Sequence, residues 1–123
     1  MKNAINWFEI PVTDLAKAVR LYESMLNTKL TVADFGGIPH GVFPAEQTGV
    51  TGALVVDAKR KPTRGQGTTI YLNAPDLAHC VTRAVEAGGK LVQPVTPIDP
   101  HGAIALIEDF DGNVIGLHQE PAK

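Results

Sequence analysis

Residues 12–19 read Val-Thr-Asp-Leu-Ala-Lys-Ala-Val, and residues 74–81 read Ala-Pro-Asp-Leu-Ala-His-Cys-Val. Asp, Leu, Ala and Val stand at the same places in both, and the second copy begins 62 residues after the first in a chain of 123. A repeat at half the chain length points to a duplicated supersecondary unit. Each copy follows a short apolar segment, residues 5–12 and 68–74, and each opens a helical pattern. In the first helix Leu15, Ala18, Val19, Tyr22, Met25 and Leu26 make the i, i+3, i+4, i+7 stripe of an amphipathic helix. Thr13 or Asp14 supplies the oxygen that caps its first turn. In the second, Leu77, Cys80, Val81, Ala84 and Val85 share a face. Pro75-Asp76 opens that helix and Gly88-Gly89 closes it.

Beyond each helix the apolar period falls towards two. Strands are expected near 29–35, 40–43 and 50–56, then near 90–94, 103–107 and 114–118. Asp111-Gly112-Asn113 is the tight turn before the last strand. Each half is therefore strand, helix, strand, strand, strand. Module one covers 4–57 and module two 67–118, within a single domain of 1–123. The linker, 58–66, is basic, with Lys59, Arg60, Lys61 and Arg64. Such a charge run reads as a solvated connection; a lid over an acidic ligand is the alternative.

Composition narrows the function classes. Hydrophobic residues are 44% and charged residues 20%, the proportions of a globular chain. A net charge of -2 argues against nucleic acid or an anionic membrane as partner. The single cysteine, Cys80, excludes an internal disulfide and a Cys-rich zinc site. No apolar run has the length of a membrane span, and the first residues lack a signal-peptide core. The expectation is a soluble, cytoplasmic protein.

Two βαβββ modules in this length resemble the vicinal-oxygen-chelate superfamily, which includes glyoxalase I, extradiol dioxygenases and bleomycin-resistance proteins. The resemblance is carried by Phe8-Glu9-Ile10-Pro11-Val12 with Asp14-Leu15, by Tyr22, by Ala87-Gly88-Gly89, and by the run from Asp109 to Asn113 continuing to His118. It implies an α+β fold in which paired modules curve a partly closed mixed sheet around a pocket. It also implies a homodimer, and a branch of glyoxalase-like proteins without an assigned reaction.

Enzymes of the superfamily hold a metal on the pocket face of each module's first and last strands. The matching positions here are Trp7, Ala53, Thr69 and Gly116. None of them is a good ligand for a divalent metal. No metal and no cofactor are therefore expected. Alternation along the strands turns Glu9, Val55, Tyr71 and His118 towards the pocket as the adjoining layer, with Thr69 and Asn73 on the same face. A carboxylate, a phenol and an imidazole around one cavity suit either acid–base work by Glu9 and His118 or polar anchoring of a ligand. Trp7, Tyr71, Thr69, Asn73 and Val55 are the candidate ligand-binding residues. Trp7 either stacks on a planar ligand or fills the vacated metal space. His40 and His101 read as solvated loop histidines, His79 as a surface residue of the second helix, and Cys80 as a packed thiol.

The leading expectation is a small-molecule binder with a metal-independent pocket. The alternatives are a lyase or isomerase using Glu9 and His118, and a metal-dependent lactoylglutathione-lyase-type enzyme. A protein-interaction module without a small ligand has no sequence feature in its favour.

Overall fold

A computed structural model describes residues 5–122. The chain runs β1 (Trp7–Pro11), α1 (Leu15–Leu26), β2 (Thr31–Phe35), β3 (Ile38–Val42), β4 (Thr51–Val55), β5 (Tyr71–Asn73), α2 (Leu77–Glu86), β6 (Lys90–Pro97), β7 (Ala103–Glu108) and β8 (Val114–Gln119). The duplicated βαβββ order is thus present, in the α+β class. The strands form two four-stranded sheets, ordered β1-β4-β3-β2 and β5-β8-β7-β6. In each, the module's first and last strands pair in parallel and the rest are antiparallel. Among the described residues, no strand of one sheet pairs with a strand of the other.

Local chemistry sets the helices. The Asp14 carboxylate caps α1 by accepting from the Lys17 N–H, and Asn27 ends it in the left-handed conformation. The buried residues of α1 are Ala18, Val19, Leu21, Tyr22 and Met25. Leu21 joins the expected stripe because α1 also packs on α2, which widens its covered face. On α2, Leu77, Cys80 and Ala84 are buried, whereas Val85 is exposed and Val81 only partly covered. Both helices cover one shared core, with Leu54 from sheet 1 and Ile107 and Leu117 from sheet 2 fully enclosed. Each such side chain contributes about 1.5–3 kcal/mol of apolar burial. α1 approaches its sheet closely at Gly41, where a Cβ would lie 2.9 Å from a Val19 methyl.

Polar bonds join the modules at the turn before β8. Asp109 and Asp111 are both buried. Asp111 accepts from the Thr13 N–H (3.1 Å) and hydroxyl (2.6 Å), at the entry to α1. Asn113 donates from its amide to the Pro11 carbonyl at 2.8 Å. Asp109 accepts the fully buried Tyr22 hydroxyl at 2.7 Å, as well as the Asp111 and Asn113 N–H groups and the Asn113 amide. Burial raises the Asp109 carboxyl above its usual range, and these donors only partly offset it. The expected turn is present, and its carboxylates are also the lock between the halves. On the helix side, Arg83 Nε donates to the Ser24 and Met25 carbonyls at 3.0 and 3.3 Å, satisfying the C-terminal end of α1.

Candidate functional site

Side-chain alternation in sheet 1 puts Ile10, Leu54 and Gly41 towards α1 and turns Glu9 and His40 to the other face. The Glu9 carboxylate is the centre of that face. Trp7 Nε1 donates to Glu9 Oε2 at 3.2 Å. His40 Nε2 stands 3.5 Å from the same oxygen. Arg60 donates to Glu9 Oε1, and its Nε donates to Asp57 at 2.8 Å. The His40 ring packs edge-on against Phe35, with ring centroids 4.8 Å apart. Its Nδ1 lies 2.7 Å from the Ile38 carbonyl, so that nitrogen carries the donated proton. Nε2 is then the ring atom that faces Glu9, and it donates to the carboxylate only when both ring nitrogens carry protons.

Burial pushes the Glu9 carboxyl upward, but the Trp7 bond, the Arg60 bond and charge, and His40 outweigh it. Glu9 is held below the usual carboxylate range. Such a carboxylate binds and orients well, and it is a weak general base.

Two of these residues differ from the sequence expectations. His40 is no solvated loop residue: it lies in β3 and is only 5% exposed. Arg60 belongs to a basic segment expected to be a solvated connection, yet it ties that segment to β1. The alternation of Ile38, His40 and Val42 on one face was a signal for His40, masked by Pro39 and Gly41 between them. Asp57 three residues earlier is a local partner, but no local signal marks the bond of Arg60 to Glu9, 51 residues away.

The expected layer of Glu9, Val55, Tyr71 and His118 does not assemble. The parallel pairs are Trp7 with Thr51, Glu9 with Ala53 and Pro11 with Val55. In sheet 2 they are Tyr71 with Gly116 and Asn73 with His118. The pairing is two residues removed from the expected one, because no turn fixes the register of a parallel pair. Glu9 and His118 lie on separate sheets. His118 Nε2 is 2.7 Å from the His101 carbonyl, and it is not among the partners of Glu9. Val55 is 1% exposed and offers a ligand no surface.

Where β1 faces the segment leading into β5, two cavities open. The smaller, about 160 Å³, is lined by Glu9, Gln66, Thr69 and Asn113 among others. The larger is a cleft of about 770 Å³, lined by Phe8, Phe43, Thr69, Tyr71 and Asn73 among others. Thr69 borders both, so the two are neighbours. Tyr71 is half exposed, and its ring lies across Gly116, where a Cβ would come within 2.2 Å of it. Cys80 is buried, and burial raises its thiol, which suits a packed rather than a nucleophilic role.

A divalent metal does not fit these residues. At Glu9 the donors are one carboxylate and one imidazole, and the Arg60 guanidinium already sits on the carboxylate. Gly116 and Ala53 present no coordinating atom, and the Tyr71 ring covers the former. Among the described residues no three His, Cys, Asp or Glu side chains gather in metal-holding geometry. Also among the described residues, no helix is long and apolar enough to cross a membrane.

Comparison with known proteins agrees with the fold. The chain is 26% identical over 130 aligned positions to a glyoxylase-like domain-containing protein of Didymella fabae, covering 97% of this chain and 95% of that one. A glyoxalase/bleomycin resistance protein of Albidiferax ferrireducens superposes with a TM-score of 0.74 at 19% identity, covering 97% of this chain and 100% of that one. Glyoxalase I of Zea mays superposes with a TM-score of 0.72 at 19% identity, and this chain spans 45% of its length. The sequence profile of the Glyoxalase/Bleomycin resistance protein/Dioxygenase superfamily matches residues 4–117. The chain belongs to that superfamily.

Proposed function

We propose that this chain binds a small organic molecule without the help of a metal, at the junction of its two modules. The observation that carries this reading is the Glu9 carboxylate, held by Trp7, Arg60 and His40 on the face of sheet 1 turned away from α1. Trp7 supplies an exposed aromatic surface beside it. Thr69 borders the Glu9 cavity and, with Tyr71 and Asn73, lines the larger cleft that continues round to Leu26 of α1, so it is the residue through which a ligand on Glu9 would reach that volume. His118 stays in this reading as a polar group of the second module. The acid–base alternative is weaker, since Glu9 is held charged by a guanidinium and His118 is committed elsewhere. A homodimer and a cytoplasmic location complete the proposal, both following from the superfamily likeness and composition.

Thermal-shift screening of a small-metabolite panel in EDTA tests it. The expected result is a ligand that stabilises the wild type and fails to stabilise Trp7→Ala and Glu9→Ala. Stabilisation that appears only after adding nickel or zinc would overturn the metal-independent reading.

A further inference from the structure

Arg60 is unusual among the polar groups of this site because it comes from the linker and not from either sheet. Its side chain is 53% exposed, whereas that of Glu9 is 22% exposed. Glu9 stands on a paired strand and keeps its other oxygen on Trp7 and His40. Arg60 is held by Glu9 and by Asp57, three residues earlier in the same segment. The Glu9 end of this contact is anchored in a sheet, and the Arg60 end is a long, half-exposed side chain. Exposed pairs on long side chains are worth only about 0–1 kcal/mol, so exchange of the guanidinium for another cation is easy.

The charge balance says what kind of group comes in. Lys59 balances Asp57, but Arg60 is the cation on Glu9, so an incoming anion that displaced Arg60 would face the ionised Glu9 carboxylate directly. A cation with N–H donors finds what Arg60 finds: an ionised carboxylate on β1. The exposed rings of Trp7 and Phe35 flank the Glu9–His40 pair and offer flat faces to a planar body.

We propose that Arg60 is an internal stand-in for the ligand: its guanidinium occupies the place on Glu9 that an amidinium, guanidinium or ammonium group of a planar small molecule takes on binding. This rests on the small-molecule reading above and adds the charge and shape of the ligand. Arg60 then sets specificity by competition. It retires onto Asp57 when the ligand enters, and weak cations fail to displace it.

The test uses Trp7, the only tryptophan, as a fluorescence reporter, because its indole N–H rests on Glu9. Benzamidine, its neutral analogue benzamide and the anion benzoate are titrated into the wild type, Arg60→Met and Glu9→Gln. The expected result is a saturable Trp7 change with benzamidine alone. Its apparent affinity should rise about fivefold in Arg60→Met, the factor equivalent to about 1 kcal/mol. It should be lost in Glu9→Gln. Arg60 is half exposed on the linker, and a far-ultraviolet spectrum checks that each variant is folded. Benzoate binding that Arg60→Met abolishes would make Arg60 an anion anchor; it would overturn this inference and leave small-molecule binding standing. Benzamidine affinity unchanged by Arg60→Met would also overturn it. Failure of all three probes in all three proteins would overturn this inference, while the metabolite screen would decide the broader reading separately.

Discussion

Replacing Tyr22 by Phe removes one oxygen from the interior and leaves the ring in place. In the native chain that hydroxyl is fully buried and donates to Asp109 Oδ2 at 2.7 Å, across 87 residues of sequence. Asp109 keeps the Asn113 amide on the same oxygen and two N–H groups on the other. The lost bond is one to a charged acceptor, worth about 1.5–3 kcal/mol. For a chain of this size that lowers the melting temperature by about 6–12 °C, at roughly 4 °C per kcal/mol. The pH dependence makes the prediction sharper. The folded-state pKa of Asp109 lies above its unfolded value of 3.8 because of burial. As pH falls through the folded pKa, Asp109 takes up a proton in the folded protein first. Over that window the folded state binds more protons than the unfolded one, so stability credited to Asp109 rises as pH falls. Tyr22→Phe removes a donor that favours the ionised form, which raises the folded pKa further. Its cost is therefore largest near neutral pH and shrinks as the pH drops towards 4. Urea unfolding of both proteins across that range measures it. A cost below about 0.5 kcal/mol at neutral pH, or one that grows on acidification, would refute the reasoning.

Other outcomes follow from single contacts. Arg83→Met strips a charged donor from the Ser24 and Met25 carbonyls and should cost about 1–2 kcal/mol in chemical denaturation. Gly52→Ala places a Cβ 2.1 Å from the Phe8 carbonyl oxygen, a backbone clash, whereas Gly116→Ala meets the half-exposed Tyr71 ring, which can turn outward. The first should abolish folded protein, and the second should cost about 1–3 kcal/mol and leave a cooperative melt. Arg60→Met removes a hydrogen bond and a charge that lower the Glu9 pKa, so carbon-13 titration should show Glu9 ionising at a higher pH than in the wild type. An unchanged Glu9 titration would mean that the ion pair is not populated in solution.

The contrast between what the sequence revealed and what it concealed has a physical cause. The repeat of Asp14-Leu15 in Asp76-Leu77 is local, and so are the stripes through Tyr22 and Cys80; a helix face is a property of neighbours in sequence. The fold was legible from them. Val85 broke its stripe because exposure depends on where the other module stops covering α2. The site was poorly legible because it is made by distance. Trp7 and Glu9 could be named from alternation. Their partners could not, since register in a parallel pair is set by the whole sheet and shifted the expected layers by two residues. His40 was hidden by Pro39 and Gly41 in its own strand. Arg60 was hidden by its basic neighbours, among which one ion-paired arginine looks like any solvated cation.

The lock at Asp109 and Asp111 changes what the segment between the modules is for. Thr13, Tyr22 and Pro11 hold the second half to the first through buried and part-buried bonds, and Arg83 does so again on the helix side. The halves are thus fastened by their interiors, and the stretch running from Asp57 towards β5 is spared the duty of a tether. Its backbone rests on the turn before β8 at Arg64 and Gly65, but around Arg60 its side chains are free to answer to another demand. Charges at the exposed positions of this segment can change while both cores stay intact. Selectivity for a new ligand can then arise from a surface segment without touching the strands that carry Glu9.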